Sequence, residues 1–277
     1  MFRKIHITIL TFLLFTLSHA YGQQWEFGAN LSGSGYMGDI NPANPFYYKN
    51  FSGGLHVKYN FNPTWGVRTG ISYLKLYGAD EDFNSNYQKQ RNLAFNNNVF
   101  ELSAVGEFNF FKFIAGREDT RYTPYLFAGV AAFMHNPYLK SSDGTIHKLR
   151  ELFLENDVEQ GTFEKPSNVA VSIPFGAGFK YNIKGPWTLG VEIGYRAALT
   201  DQLDNVSNNY TTLTYNDLPS SVRSQISEDT WTFLADPSGN LPQNAGKMRG
   251  NGKGLDGYMT AGFTVTYTLF SQKCYWW

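Results

Sequence analysis

Eight charged residues set the chemical question. Glu26, Glu101, Glu107 and Glu192 match Lys58, Arg68, Lys180 and Arg196 in number, and each stands between neighbours that are mostly apolar or small. Charges spaced in this way point to one face of an extended chain, where a carboxylate without a basic partner is costly to bury. Four acids against four bases is the make-up of an ion-pair network. An ion-selective channel would carry one sign of charge. Other constellations are weaker. His135 and His147 share a segment with Ser141, Ser142 and Asp143, the residue types of a hydrolytic nucleophile and its base. The chain has no Gly-x-Ser-x-Gly turn to present such a serine, and His56 stands apart. Asp80-Glu81-Asp82, and Asp201 with Asp204, offer oxygens suited to calcium but lack the ligand spacing of a calcium loop, so solvated loops compete with that reading. Lys247, Arg249 and Lys253 suit either phosphate groups or an ordinary exposed loop. The single cysteine, Cys274, makes neither an internal disulfide nor a cysteine metal site, so no metal or cofactor is expected.

The elements that must position the charges are clearest in Val169–Leu199. Val169, Val171, Ile173, Phe175, Ala177, Phe179 and Tyr181 occupy odd positions, with Ser172, Gly176, Gly178 and Lys180 between them. This period of two predicts a strand. After Lys184-Gly185-Pro186 the pattern resumes, Trp187, Leu189, Val191, Ile193 and Tyr195 opposing Thr188, Gly190, Glu192, Gly194 and Arg196. Pro174 falls on the inward face and predicts a bulge, because it removes a ladder donor. Long arms with one apolar and one small or polar face suit a membrane barrel, apolar outward and polar inward.

The same rule predicts strands over 25–36, 51–61, 65–77, 122–134 and 257–270, and another that includes Phe100–Phe110. Segment 122–134 is apolar on both faces, so its register stays open. Eight strands result. Their connections alternate long and short from end to end, the short ones being Asn62–Thr64, Phe113–Arg121 and Lys184–Pro186. The expected fold is therefore all-β: an eight-stranded antiparallel outer-membrane β-barrel with long extracellular loops, short periplasmic turns and both termini periplasmic. A soluble lipocalin-like barrel would turn its apolar face inward around a ligand. Glycine, serine and threonine on the opposite face argue against that arrangement. An eight-stranded barrel has room only for its own side chains, so the eight charges are expected to fill the lumen and to prevent steady conduction.

Composition agrees with this reading. Aromatic residues make up 17% of the 277 residues and charged residues 17%, and no long apolar helix follows the N-terminus. Zero formal net charge gives no reason to expect nucleic acid as a partner. Outer-membrane lipids and lipopolysaccharide are the expected surroundings. Arg3 and Lys4 before the apolar stretch Ile5–Leu17, followed by small residues, predict an export signal over residues 1–22, cut after Ala20 or Gly22. Residues 23–277 then form one barrel domain.

Several segments taken together resemble one family. They are Tyr36-Met37-Gly38-Asp39-Ile40-Asn41-Pro42, Tyr87–Leu93 leading into Phe100-Glu101, Tyr122–Gly129, Ile173–Gly178 and Arg196–Ser207. In this order they resemble the PorG-like outer-membrane barrel subunit of the Bacteroidetes type IX secretion system. The resemblance implies a non-catalytic structural subunit without cofactor. It also implies association with a periplasmic ring, built of a lipoprotein and its partner, in machinery that secretes proteins and in some species supports gliding. In that setting the largest periplasmic turn, with Arg117, Glu118, Asp119 and Arg121, is the expected docking element. The alternatives are a small structural or adhesive barrel of the OmpA/OmpX kind and a hydrolase at the barrel rim.

Overall fold

The computed structural model describes residues 24–269 apart from 45, 142–143, 156–162, 164 and 251–253. The export signal, Cys274, Ser142, Asp143 and Lys253 lie outside the described residues.

Eight long strands form a closed ring: β1 (Gln24–Met37), β2 (Asn50–Asn60), β3 (Trp65–Ala79), β4 (Ala94–Asn109), β5 (Tyr122–Met134), β8 (Val169–Lys184), β9 (Trp187–Ala198) and β10 (Gly257–Leu269). A short hairpin, β6 (Tyr138–Lys140) and β7 (Ile146–Lys148), attaches to β4 through Asn96 and Tyr138. Each long strand is antiparallel to its neighbours. β1 pairs with β10 from Trp25↔Leu269 to Met37↔Gly257, and β3 closes the ring on β4. Closure matters because an open sheet edge in lipid leaves backbone groups without partners. Among the described residues no helix is long and apolar enough to cross a membrane, so a crossing falls to the strands.

The period of two sorts the side chains as expected. Phe27, Leu31, Leu55, Ile71, Leu102, Val171 and Phe263 point outward and are exposed, while Glu26, Lys58, Glu107 and Lys180 point inward and are buried. An apolar exterior around a polar interior is the inverse of a soluble barrel and fits a bilayer. Aromatic pairs mark the turn end of the belt: Trp25 on Tyr59, Trp65 on Phe108 and Trp187 on Tyr267, with ring centroids 4.8–5.0 Å apart across neighbouring strands. The three short connections and the two strand termini share that end. At the β8–β9 turn Gly185 takes a left-handed φ of 53°, which favours glycine.

β5 is now placed in register. Tyr125, Phe127, Ala131 and Phe133 are buried inside the barrel, and Leu126, Val130 and Met134 face outward. Glycines opposite make room for the inward rings: a Cβ on Gly176 would lie 2.6 Å from the Phe127 ring. The expected bulge at Pro174 is absent. The pairing of β8 with β9 runs unshifted through Pro174↔Arg196, and on the β5 side it lapses only opposite Ile173 and Pro174 before resuming in the same register. The missing N–H is thus absorbed as a local gap in one ladder, and the one shift in this hairpin lies near its turn, between Asn182 and Lys184.

Val191 points outward from the middle of β9, between Trp187 and Tyr195. Val191→Arg is expected to destabilise the barrel in lipid vesicles by about 2–4 kcal/mol, and Phe61→Arg near the turn end by about 0–1 kcal/mol. Denaturant titration of the two variants against the parent chain checks the depth dependence.

Candidate functional site

The lumen charges fall into three balanced groups stacked along the barrel. Nearest the turn end, Glu107 Oε1 accepts from both Lys58 and Lys180. Lys58 also lies 3.7 Å from Glu26, which accepts from Asn60 at 2.6 Å. In the next group Glu192 Oε2 accepts from Arg68 at 2.7 Å and from the Tyr125 hydroxyl at 2.9 Å. The Arg68 guanidinium covers the Phe127 ring at 5.1 Å. Towards the loop end Glu101 accepts from Tyr258 at 2.6 Å and lies 3.6 Å from Arg196, which also donates to Thr260. The structure therefore brings all eight charges inside, each beside an opposite charge. The void among the first two groups is about 20 Å³, room for about one water. His56 lines this void, wedged against Gly28, where a Cβ would come within 2.3 Å of its ring.

The turn end is closed by the β4–β5 connection. Phe113, Ile114 and Ala115 are buried. The Phe113 amide donates to the Pro63 carbonyl and the Gly116 amide to Asn182, and Lys180 sits 4.9 Å from the centre of the Phe113 ring. Half of the expected docking turn is thus a plug. The other half pairs within itself, Arg117 with Asp119 at 3.2 Å and Arg121 with Glu118 at 2.7 Å. All four of these side chains are exposed, and exposed pairs of this kind add little stability.

At the loop end the long connections fold together, contrary to the expectation of solvated loops. They carry helices α1 (Asn86–Arg91), α2 (Ser220–Arg223), α3 (Glu228–Ala235) and α4 (Leu241–Asn244). Ser227 caps α3, accepting from the Thr230 amide, and the helix turns Trp231, Leu234 and Ala235 inward. These join Ile40, Leu93, Leu154, Leu203 and Leu218 in one hydrophobic core, floored by Tyr36, Leu74, Phe95, Phe133 and Tyr258 from the strands. Burial on this scale, at about 1.5–3 kcal/mol for each large apolar side chain, is what makes a cap out of loops.

Two buried arginines lock the connections to one another inside the cap. Asp80, expected on a solvated or calcium-binding loop, is fully buried and receives Arg91 through two bonds of 2.7 and 2.8 Å. Arg91 also donates to the carbonyls of Asp39 and Arg249. Arg249, expected on an exposed basic stretch, is buried and donates to Glu155 at 2.9 Å and to the Asn205 carbonyl. Burial holds the Glu155 carboxyl above its usual range despite Arg249 beside it. Gln88 donates to the Ile40 carbonyl, Asn97 to that of Leu203, and the Trp231 indole to that of Leu152. No acid cluster suited to a metal ion occurs among the described residues.

The histidines do not assemble a catalytic group among the described residues. His135 is buried against the Phe133 ring, and neither ring nitrogen has a hydrogen-bond partner. Burial, aided by Arg150, lowers its pKa to about 4 and keeps it neutral. His147 lies on β7 opposite Leu139.

A sealed eight-stranded barrel with an apolar belt belongs to the class of outer-membrane barrels. Residues 3–238 match the family described as a domain of unknown function, DUF6089, and the chain belongs to that family. No curated protein sequence matches it. The chain is similar to three solved outer-membrane proteins. A major outer membrane protein from Thermus thermophilus is 12% identical with a TM-score of 0.42, covering 91% of this chain and 100% of the other. Ail, the attachment invasion locus protein of Yersinia pestis, solved with the heparin analogue sucrose octasulfate, is 11% identical with a TM-score of 0.41, covering 90% and 99%. OprG of Pseudomonas aeruginosa is 12% identical with a TM-score of 0.39, covering 91% and 98%. The architecture described above rests on the strand pairing of this chain itself.

In planar bilayers the purified barrel is expected to show no steady conductance, and sustained open-channel steps would contradict the sealed lumen. Arg91→Ala leaves Asp80 buried without its partner, which is expected to destabilise the cap by about 3–5 kcal/mol while the barrel stays folded. Protease mapping of the loops, read beside the heat-modified gel mobility of the barrel, separates the two effects.

Proposed function

We propose that the protein is a non-catalytic, non-conducting outer-membrane barrel of OmpA/OmpX-like build whose working part is the cap. Short turns and both termini face the periplasm in this reading, and the cap stands at the cell surface, in keeping with the usual asymmetry of such barrels. One observation carries it: four long connections share a single hydrophobic core and a buried ion-pair network above a lumen whose charged groups leave a void of about 20 Å³. A solute channel would need an open interior, and a barrel serving only to anchor would not need ordered loops. The cap also exposes Phe46, Ile146, Phe233 and Met248, apolar side chains available to a binding partner.

A second reading, a subunit of type IX secretion machinery docking a periplasmic ring lipoprotein and its partner, is favoured by where the resembling segments lie. Tyr36, Asp39 and Ile40, then Gln88 and Arg91, then Leu203 and Asp204 come from three of those segments, and all contribute buried residues to the cap. The other two resembling segments, Tyr122–Gly129 and Ile173–Gly178, lie in β5 and β8. In this reading the ring meets the turn that holds Arg117, Glu118, Asp119 and Arg121.

Affinity purification from native envelopes, through a tag at the C-terminus, distinguishes the readings. The first reading expects partners that are lost when residues 201–255 are replaced by a short turn. The secretion reading expects a ring lipoprotein in stoichiometric amount. It also expects that lipoprotein to be lost in the Arg117→Glu, Arg121→Glu double variant, which sets two further acids beside Glu118 and Asp119. Recovery of the barrel alone in every case would count against both.

A further inference from the structure

We infer that the cap is latched by one proton, additional to the phenol's own, held along Asp204, Tyr36 and Asp256, and that losing this proton as pH rises loosens the β9–β10 connection from the barrel mouth. Tyr36 is fully buried at the loop end of β1. Its hydroxyl oxygen lies 2.5 Å from Asp204 Oδ2 and 2.8 Å from Asp256 Oδ1, both aspartates being buried as well. A phenol has one hydrogen, so it donates to one of these oxygens only. The contact on its other side is a hydrogen bond only if that carboxyl is protonated and donates to the phenol oxygen. The remaining oxygens cannot change this balance. Asp204 Oδ1 accepts from the Val206 amide and Asp256 Oδ2 from the Leu203 amide, both at 2.8 Å.

Among the described residues, more acids than bases surround the pair. Asp39 from the β1–β2 connection, Glu155 from the β5–β8 connection and Asp201 lie near enough to act on the aspartates, and the Tyr195 hydroxyl of β9 lies beside Asp256. The nearby cations are held by other carboxylates, Arg91 by Asp80 and Arg249 by Glu155, and Arg91 also lies close enough to act on Asp204. Burial, with like charge added, keeps both Asp204 and Asp256 well above the usual carboxylate range, and Asp201 is raised to about 7.

A carboxyl with a raised value in the closed cap binds a proton that the opened cap, titrating near pH 4, releases, so the closed state loses stability as pH climbs from about 4 through the raised value. Asp204 and Asp256 stand near the two ends of the β9–β10 connection, so the latch fastens both ends to β1. The consequence holds whatever the cap binds.

The full-length barrel in lipid nanodiscs, with a chelator present, is suited to the test. Cleavage of the cap, normalised to an unstructured reporter peptide, is expected to speed up about tenfold or more between about pH 5.5 and 9 in the parent chain. In Asp256→Asn, whose amide supplies the missing hydrogen permanently, the acceleration should be several-fold smaller than in the parent chain, and adding Asp201→Asn should bring it below about twofold, since Asp201 titrates in the same window. Infrared spectra of the parent chain at pH 7 should hold a neutral carboxyl band that is lost in Asp256→Asn and in Asp204→Asn; the second variant serves if the first does not fold. Absence of that band from the parent chain, an equal pH response in parent and variants, or loss of cap protection on chelation, which would place a cation between the aspartates, overturns the inference.

Discussion

Everything in this molecule depends on the closing of β3 on β4. A ring of strands satisfies its own backbone and leaves one narrow interior, into which every second side chain must point. Glu107 can be tolerated there only because Lys58 and Lys180 arrive from β2 and β8, and Glu192 only because Arg68 and Tyr125 reach it from β3 and β5. The outward half of the same alternation meets lipid. Sealing the lumen and dissolving the exterior in a bilayer are therefore two results of one geometry.

The cap repeats this logic with different means. Above the belt the strands β3 and β4 continue, and their inward residues change from charged to apolar, as Leu74, Leu76, Phe95 and Val99 show. That apolar floor is a surface on which the long connections can fold. Arg91 and Arg249 then fasten the connections laterally, each satisfying a buried carboxylate and backbone carbonyls at once. Such bonds add specificity more than stability: the core drives the collapse, and the paired charges select one arrangement of the loops.

The barrel is closed by Phe113–Ala115 at one end and filled by ion pairs in the middle, and a folded cap covers the other. The turn with Arg117 and Arg121 carries its own counter-charges, so a partner there would have to compete with Asp119 and Glu118 for them. The cap presents apolar side chains on a rigid base, where binding costs less ordering entropy than on a mobile loop.

Strand number, the inward or outward sense of most strands and the eight lumen charges were legible in the order of residues alone, because a strand's period of two is a local property. Trp187 to Arg196 is sorted by its neighbours whatever lies across the sheet. Where both faces were apolar, as in Tyr122–Met134, the local signal cancelled, and only pairing with β4 and β8 turned Phe127 inward and Leu126 outward. Pro174 announced a defect, but its form depended on neighbouring strands that keep register around it. The cap was not legible. Asp80 and Arg249 read as solvent-facing because burial of a charge depends on a partner: Arg91 meets Asp80 only through the fold of their shared connection, and Glu155 reaches Arg249 from another connection far away in the chain. That Tyr36, Asp204 and Asp256 need a second hydrogen among them follows only from their meeting in space, since tertiary packing alone sets the distance between groups that the chain holds so far apart.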